Sequence, residues 1–490
     1  MSSLAFPAGS GYPAISRRQM LERTGMGLGS IALAYLLKQD GVLAKSAQPS
    51  GGFDLREKKP HFEPKVKSVI LMMQNGGASQ MDMFDPKPIL QKYDGKNHQE
   101  ALKDSTKVEM FQGGNESNTL MGSPFKFSHY GESGIEFSEV IPHIGSLADE
   151  MCMVRSMHTG HNNHTEALIM FTTGRIFQGR PTFGSWISYA LGTENQNLPA
   201  YIVLRDPGGY NTSGRLTWTS GWLPALYEGT EFSSKGSAVL NLHPARPRPA
   251  GFLREELEFL KKLNRLDQQR DPRESDLETR IRNYELAPRM MPAADQILDM
   301  TNETAATKKL YGLDNAKTKA YGLRCLMARK LIEGGVRFVQ VHPSPGQPWD
   351  HHDNLKRSML SVCGAQDLPT AGLIQDLKQR GLLESTLVIW SGEFGRLPIT
   401  QGGTGRDHNR NAFTLWMIGG NFKRGHVHGA TDDVGYAAAV DRVSVADLHA
   451  TILHQLGLDQ DEVTYRHSGR NESLTDSPVT GARVVDELFA

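Results

Sequence analysis

Twice in its second half this 490-residue chain runs from a helix-length segment through glycine into a short apolar run that stops abruptly at polar residues. The pattern predicts a helix from Lys317 to Glu333, Gly334-Gly335 as its stop, and a strand from Val336 to Val341. A second helix, from about Leu355 to Arg380, returns through Gly381 to a strand at Leu387 to Trp390. Parallel neighbours need a connection of a dozen or more residues, which is what the intervening helices provide. The alternation therefore calls for an α/β fold with a mostly parallel sheet.

Earlier apolar runs fit the same frame. Val66 to Met73 reads as a first core strand, Met151 to Met157 as a second and Ala200 to Leu204 as a third. Residues 139–149 look helical, and so does the segment from Ala167 to Thr173. Asp206 to Ala250 lacks periodicity and reads as a long loop that could wall a site. Charged helical sequence over about 251–313 reads as an inserted helical arm. Phe413 to Ile418 and Val445 to Leu456 read as a further strand and a closing helix.

The strands differ in the chemistry carried at their ends. Asn75 ends the first, and a cluster containing His158, His161, His164 and Thr165 ends the second. His342 and then Asp350 to Asp353 come after the strand from Val336, and Glu393 comes after the strand at Trp390. In parallel sheets all carboxyl ends share one edge, where ligands bind. A carboxylate just past a buried strand, with Asp407 and His408 after a Gly-rich loop, is the kind of ligand set a divalent cation takes. Asp350, His352, Glu393, Asp407 and His408 are the candidate ligands. An exposed turn with a solvated loop is the alternative reading of residues 391–409. Without cysteine in the set, Zn, Mn, Fe, Mg or Ca all remain open, as one ion or two. Arg396 and Arg406 flank the candidates and could fork onto an anionic ester, or could each serve a structural ion pair.

Composition enters mainly by exclusion. Lys+Arg and Asp+Glu are both 54, which removes any electrostatic case for nucleic acid as a partner. Three cysteines, Cys152, Cys325 and Cys363, make neither a disulfide framework nor a Cys-based zinc site. The amino terminus carries Ser16-Arg17-Arg18-Gln19-Met20-Leu21, an uncharged run from Thr24 to Leu37, and Ala44-Lys45-Ser46. This resembles a twin-arginine export signal over residues 1–47, which implies the translocation machinery as a partner, a periplasmic destination, and a mature domain from 48 to 490. The run is too short to cross a bilayer comfortably, so no stable membrane span is expected.

Longer motifs carry a family resemblance. Asn75-Gly76-Gly77-Ala78-Ser79-Gln80-Met81-Asp82, Trp349-Asp350-His351-His352, Gly392-Glu393-Phe394-Gly395-Arg396, Gly405-Arg406-Asp407-His408 and Asp447-Leu448-His449-Ala450 occur in order. Together they resemble the domain of unknown function 1501 family, of the alkaline phosphatase and sulfatase superfamily. The resemblance implies a three-layer αβα sandwich with metal at the carboxyl ends of its strands. It further implies Asn75 at a metal-ligand position, and His164 with Thr165 where the nucleophile stands. Glu393-Phe394 replace an Asp-His or Asp-Asn pair, and no Cys-x-Pro-x-Arg is present, which argues against a formylglycine sulfatase. The expectation is a metal-dependent hydrolase of small phosphate or sulfate esters. A non-catalytic binding or assembly protein on the same fold is the main alternative, and a lyase or isomerase is a third.

Overall fold

Side chains alternate across a strand, and here both faces are apolar, so the sheet must be covered twice. The computed structural model describes residues 53–102, 116–236, 239, 252–270 and 275–490. The export signal expected over residues 1–47 lies outside the described residues. In chain order the strands around the site are β1 (Ser68–Met73), β2 (Cys152–His158), β3 (Tyr201–Leu204), β4 (Thr230–Glu231), β5 (Phe338–Val341), β6 (Thr386–Ser391), β7 (Gly395–Gln401), β8 (Gly405–Asn409), β9 (Phe413–Ile418), β10 (His426–His428) and β11 (Val443–Ser444). The main helices are α1 (His164–Thr173), α2 (Phe183–Leu191), α3 (Phe252–Arg270), α4 (Ser275–Ile297), α5 (Lys319–Glu333), α6 (Leu355–Gln379) and α7 (Val445–Gln455).

The central sheet has nine strands in the order β10-β2-β9-β6-β1-β5-β3-β4, with β11 also on β2. β1 pairs in parallel with β5 and β6, and β3 with β5 and β4. Ile70 and Met72 of β1 pack with Val388 and Trp390 of β6 against Leu326 of α5 and Leu373 of α6. Val69, Leu71 and Met73 point the other way, toward Leu168 of α1, Trp186 of α2 and Leu448 of α7. Each such buried aliphatic side chain stabilises the fold by about 1.5–3 kcal/mol. The result is the three-layer αβα sandwich, with a mostly parallel sheet at its centre.

β9 is the exception, antiparallel to both β2 and β6. It follows β8 with no helix in between. The stretch expected to be a turn and a Gly-rich loop is in fact an antiparallel hairpin. β7 and β8 pair with Arg396 opposite His408, and Glu116–Leu120 adds a third strand on β7. β7 alternates only through Leu397 and Ile399, and β8 is buried although it has no apolar side chain, so the hairpin carries little periodic signal. Leu397 and Ile399 fill an apolar cluster while Arg396, Arg406 and His408 are also buried.

Elsewhere the segment at 139–149 forms only two short helical turns, Pro142–Gly145 and Ala148–Glu150. The described part of the 206–250 loop contains single turns at Gly214–Thr217 and Ala225–Tyr227. Helices α3, α4 and Ala305–Leu310 occupy the 251–313 region. All three cysteines are free and buried, as small hydrophobes would be. Among the described residues no helix is long and apolar enough to cross a membrane.

Candidate metal centre

The carboxyl ends of β1, β2, β5 and β6 lie on one edge of the sheet, and the β7–β8 hairpin folds over that edge. There four side chains converge, His164, Asp350, His352 and His408, with one ligand atom from each inside a span of 4.8 Å. Asp350 Oδ1 is the hub. It lies 3.2 Å from His164 Nε2, 2.8 Å from His352 Nε2 and 3.1 Å from His408 Nε2. Around a tetrahedral zinc ion with bonds of roughly 2.0–2.1 Å, ligand atoms stand about 3.3 Å apart, so this donor set is of the right size.

The other ring nitrogens explain why the Nε2 atoms are aimed inward. His164 Nδ1 is 2.7 Å from Glu393 Oε1, and His408 Nδ1 is 2.8 Å from the carbonyl oxygen of Asn162. His352 Nδ1 meets Gln401 Oε1, with Asp407 Oδ1 at 3.8 Å. Each Nδ1 faces an oxygen acceptor and so carries the proton, which leaves a lone pair on every Nε2. Three lone pairs then face one carboxylate oxygen, and two of them, on His352 and His408, are 2.9 Å apart. Such a cluster repels itself unless positive charge sits within it, which is the chemistry of a cation site. His164 Nε2 is also buried without a hydrogen-bond partner.

The local electrostatics divide the three imidazoles. Burial disfavours protonated His164, yet its contacts with Asp350 and Glu393 raise its pKa. The Asp350 contact likewise raises His352. Burial, reinforced by the Arg396 charge and opposed by Asp350, pushes His408 down to about 4. Asp350 resists the upward push of burial, because three imidazoles and Arg396 hold its carboxyl well below the usual range.

The backbone at the end of β1 is shaped for this centre. The Gly76 amide donates to Glu393 at 2.9 and 3.1 Å. At Gly77, with φ of 71°, a Cβ would fall 2.5 Å from the Phe394 ring. That ring packs on His164 and His408, with centroids 4.8 and 4.7 Å away and interplanar angles of 40° and 37°.

The structure sorts the expected site residues into three groups. Asp350, His352 and His408 join the cluster, and His164 joins them as a fourth donor. Its Nδ1 meets Glu393 and its Nε2 faces Asp350, the placement of a ligand. Glu393 and Asp407 sit one layer out, behind His164 and beside His352. Asn75 turns aside, donating through Nδ2 to the Gly346 carbonyl, with Oδ1 3.4 Å from His342 Nδ1. Thr165 lies in the first turn of α1, where its carbonyl accepts from Ser213 Oγ, outside the four-residue cluster.

Both arginines make the structural ion pair that their sequence context also allowed. Arg396 donates to Gly77 O, Gly76 O, Trp349 O and Arg406 O as well as to Asp350 Oδ1 at 2.7 Å, so its fork is spent on the protein. Arg406 is fully buried in a two-pronged pair with Asp82, at 2.7 and 3.1 Å, and also donates to Leu397 O and Met121 O. The sequence reading missed Gln401 and the Asn162 carbonyl, since an amide in a hairpin and a main-chain oxygen carry no residue-type signal.

Glu393→Gln preserves the shape of the support while removing its charge, and weakened imidazole orientation of this kind costs about 10–100-fold in metal affinity. Competition titration with a chelating dye should read that loss, with the thermal unfolding of the metal-free protein little changed.

Comparison with known proteins gives a family and loose structural neighbours. No curated protein matches. Among solved structures, a sulfatase from Pseudoalteromonas sp. is 14% identical and covers 83% of this chain and 69% of its own, at a TM-score of 0.34. The phosphonate monoester hydrolase of Silicibacter pomeroyi is 12% identical, covering 71% of this chain and 73% of its own, at 0.32. A magnesium-bound mutant of TAB5 alkaline phosphatase is 10% identical, covering 82% of this chain and all of its own, also at 0.32. Likeness at this level carries no argument about activity. The family match is of another order, running continuously over residues 66–489 and so including every residue of the cluster. The chain belongs to the family described as protein of unknown function DUF1501.

Proposed function

We propose that the protein is a metal-dependent hydrolase of anionic esters, phosphate or sulfate, that works in the periplasm after twin-arginine export. The observation that carries this reading is the convergence of three Nε2 lone pairs on Asp350 Oδ1, each imidazole fixed from behind by its own acceptor. A divalent ion held by His164, Asp350, His352 and His408 supplies Lewis acidity toward an ester oxygen.

The remaining steps belong to the chain itself. Glu393 keeps the proton of His164 on Nδ1, and the Asn162 carbonyl does the same for His408. Arg396 offsets the charge of Asp350 and ties it to the Gly76-Gly77 turn. Approach is from the side of Asp350 and His352, whose side chains are 22% and 34% exposed while His164 and His408 are almost covered. Phe394 closes the opposite side to water. The lack of a Cys-x-Pro-x-Arg motif supports chemistry other than that of a formylglycine sulfatase.

One observation favours a second reading, a non-catalytic metal-binding protein. Four protein donors can by themselves complete a tetrahedral shell, whereas catalytic zinc sites keep a position open. Elemental analysis of the purified protein, with hydrolysis of para-nitrophenyl phosphate, sulfate and phosphonate esters, separates the two. The hydrolase reading expects about one ion per chain and turnover that disappears on chelation and returns on adding the ion. Full metal content with no turnover on any ester supports the second reading, and protein that never takes up metal overturns both.

A further inference from the structure

Helix α3 presents large apolar side chains to solvent. Phe259 is 65% exposed, Leu263 45% and Leu266 55%. At 100° per residue these three fall within an arc of roughly 60°, a single stripe along the helix. The adjoining face, with Leu260 half-buried and Asn264 buried, is turned to the protein, where α3 packs on α4. Single exposed hydrophobic residues are ordinary, but a contiguous stripe marks a surface that something covers.

The charges beside the stripe indicate what covers it. Glu255, Glu258, Lys262 and Arg265 are all exposed and line one flank at spacings of three and four residues, in the order acidic, acidic, basic, basic. That order is its own complement when a second copy runs antiparallel. A two-fold axis through position 260 sets Glu258 against Lys262 of the second copy and Glu255 against Arg265, each contact occurring twice. The same axis brings the two Phe259 rings side by side at the centre of the contact. A parallel alignment would carry the two charged flanks to opposite sides of the pair, where they cannot meet. From this pattern we infer that α3 is a self-association surface, on which two copies of the chain pair through antiparallel α3 helices. The apolar stripe supplies the affinity and the exposed charges set direction and register.

Sedimentation velocity of the full chain over a range of concentrations tests this. The expected result is a monomer–dimer equilibrium, weakened at least about 30-fold by Phe259→Asp with Leu263→Asp, as loss of a central aromatic anchor implies. All the substituted positions are exposed, so thermal unfolding and metal content should stay as in the parent. Two charge variants give the sharper result. Glu255→Lys with Glu258→Lys, and separately Lys262→Glu with Arg265→Glu, should each be monomeric alone and should dimerise with one another when mixed. A parent that is monomeric throughout, a dimer indifferent to the stripe variant, or charge variants that fail to pair on mixing would each overturn the proposal.

Discussion

His408→Ala is expected to strip the protein of its metal ion. A four-ligand site of this type binds with roughly 10–16 kcal/mol, so one donor accounts for about 3 kcal/mol, or two orders of magnitude in affinity. The loss compounds, because His352 Nε2 and Asp350 Oδ1, 2.9 and 3.1 Å from His408 Nε2, lose the neighbour that fixes their approach. Elemental analysis after dialysis should find less than about a tenth of the parent metal content, and ester turnover should fall in proportion. Thr165→Ala is the matched control. Its side chain lies outside the cluster, so metal content should be unchanged. If His408→Ala kept its ion through dialysis, the four-residue centre would not be the binding site.

Arg406→Met is expected to act on stability and not on substrate binding. Arg406 and Asp82 are both fully buried, and removing one partner leaves the other charge unpaired at a cost of about 3–5 kcal/mol. The carbonyls of Leu397 and Met121 lose their donor as well. Thermal unfolding should therefore shift down by several degrees, with any remaining activity showing an unchanged KM. A residue that bound the ester would give the reverse pattern, a raised KM at constant Tm. Asp82→Asn should behave like Arg406→Met, and the double variant should cost clearly less than the two single variants added together.

These two residues show how far the sequence could be read. The strand ends were legible because a β-branched run that breaks at Gly or a charge has one physical explanation, and parallel pairing then carries Asn75, His164, His342 and Glu393 to one edge. Their division of labour was not legible. A histidine in a sequence does not reveal which nitrogen holds its proton, and for His164 that depends on Glu393, 229 residues away. Glu393 itself reads as a ligand by residue type, yet full burial and the Gly76 amide turn it into a support. The hairpin was hidden for a related reason. β8 is buried although it holds Arg406, Asp407, His408 and Asn409 in a row, so Gly395 to Asn409 does not show the pattern of half-buried strands and its glycines read as a loop. Arginine beside a ligand reads as a substrate clamp, and only the position of Asp82 inside the fold shows what Arg406 holds.

The lone antiparallel strand also has a consequence in time. β9 returns through the sheet directly after the β7–β8 hairpin, and the donors are spread along the chain, with His164 early and His408 late. A chain still leaving the ribosome has the first of them long before the last, and nothing local holds the cluster together. The ion can be captured only once synthesis has passed β8 and the distant strands have paired, which is slow for contacts of such sequence separation. With an ion held as proposed, its occupancy would record that translation has passed the hairpin and the sheet has closed.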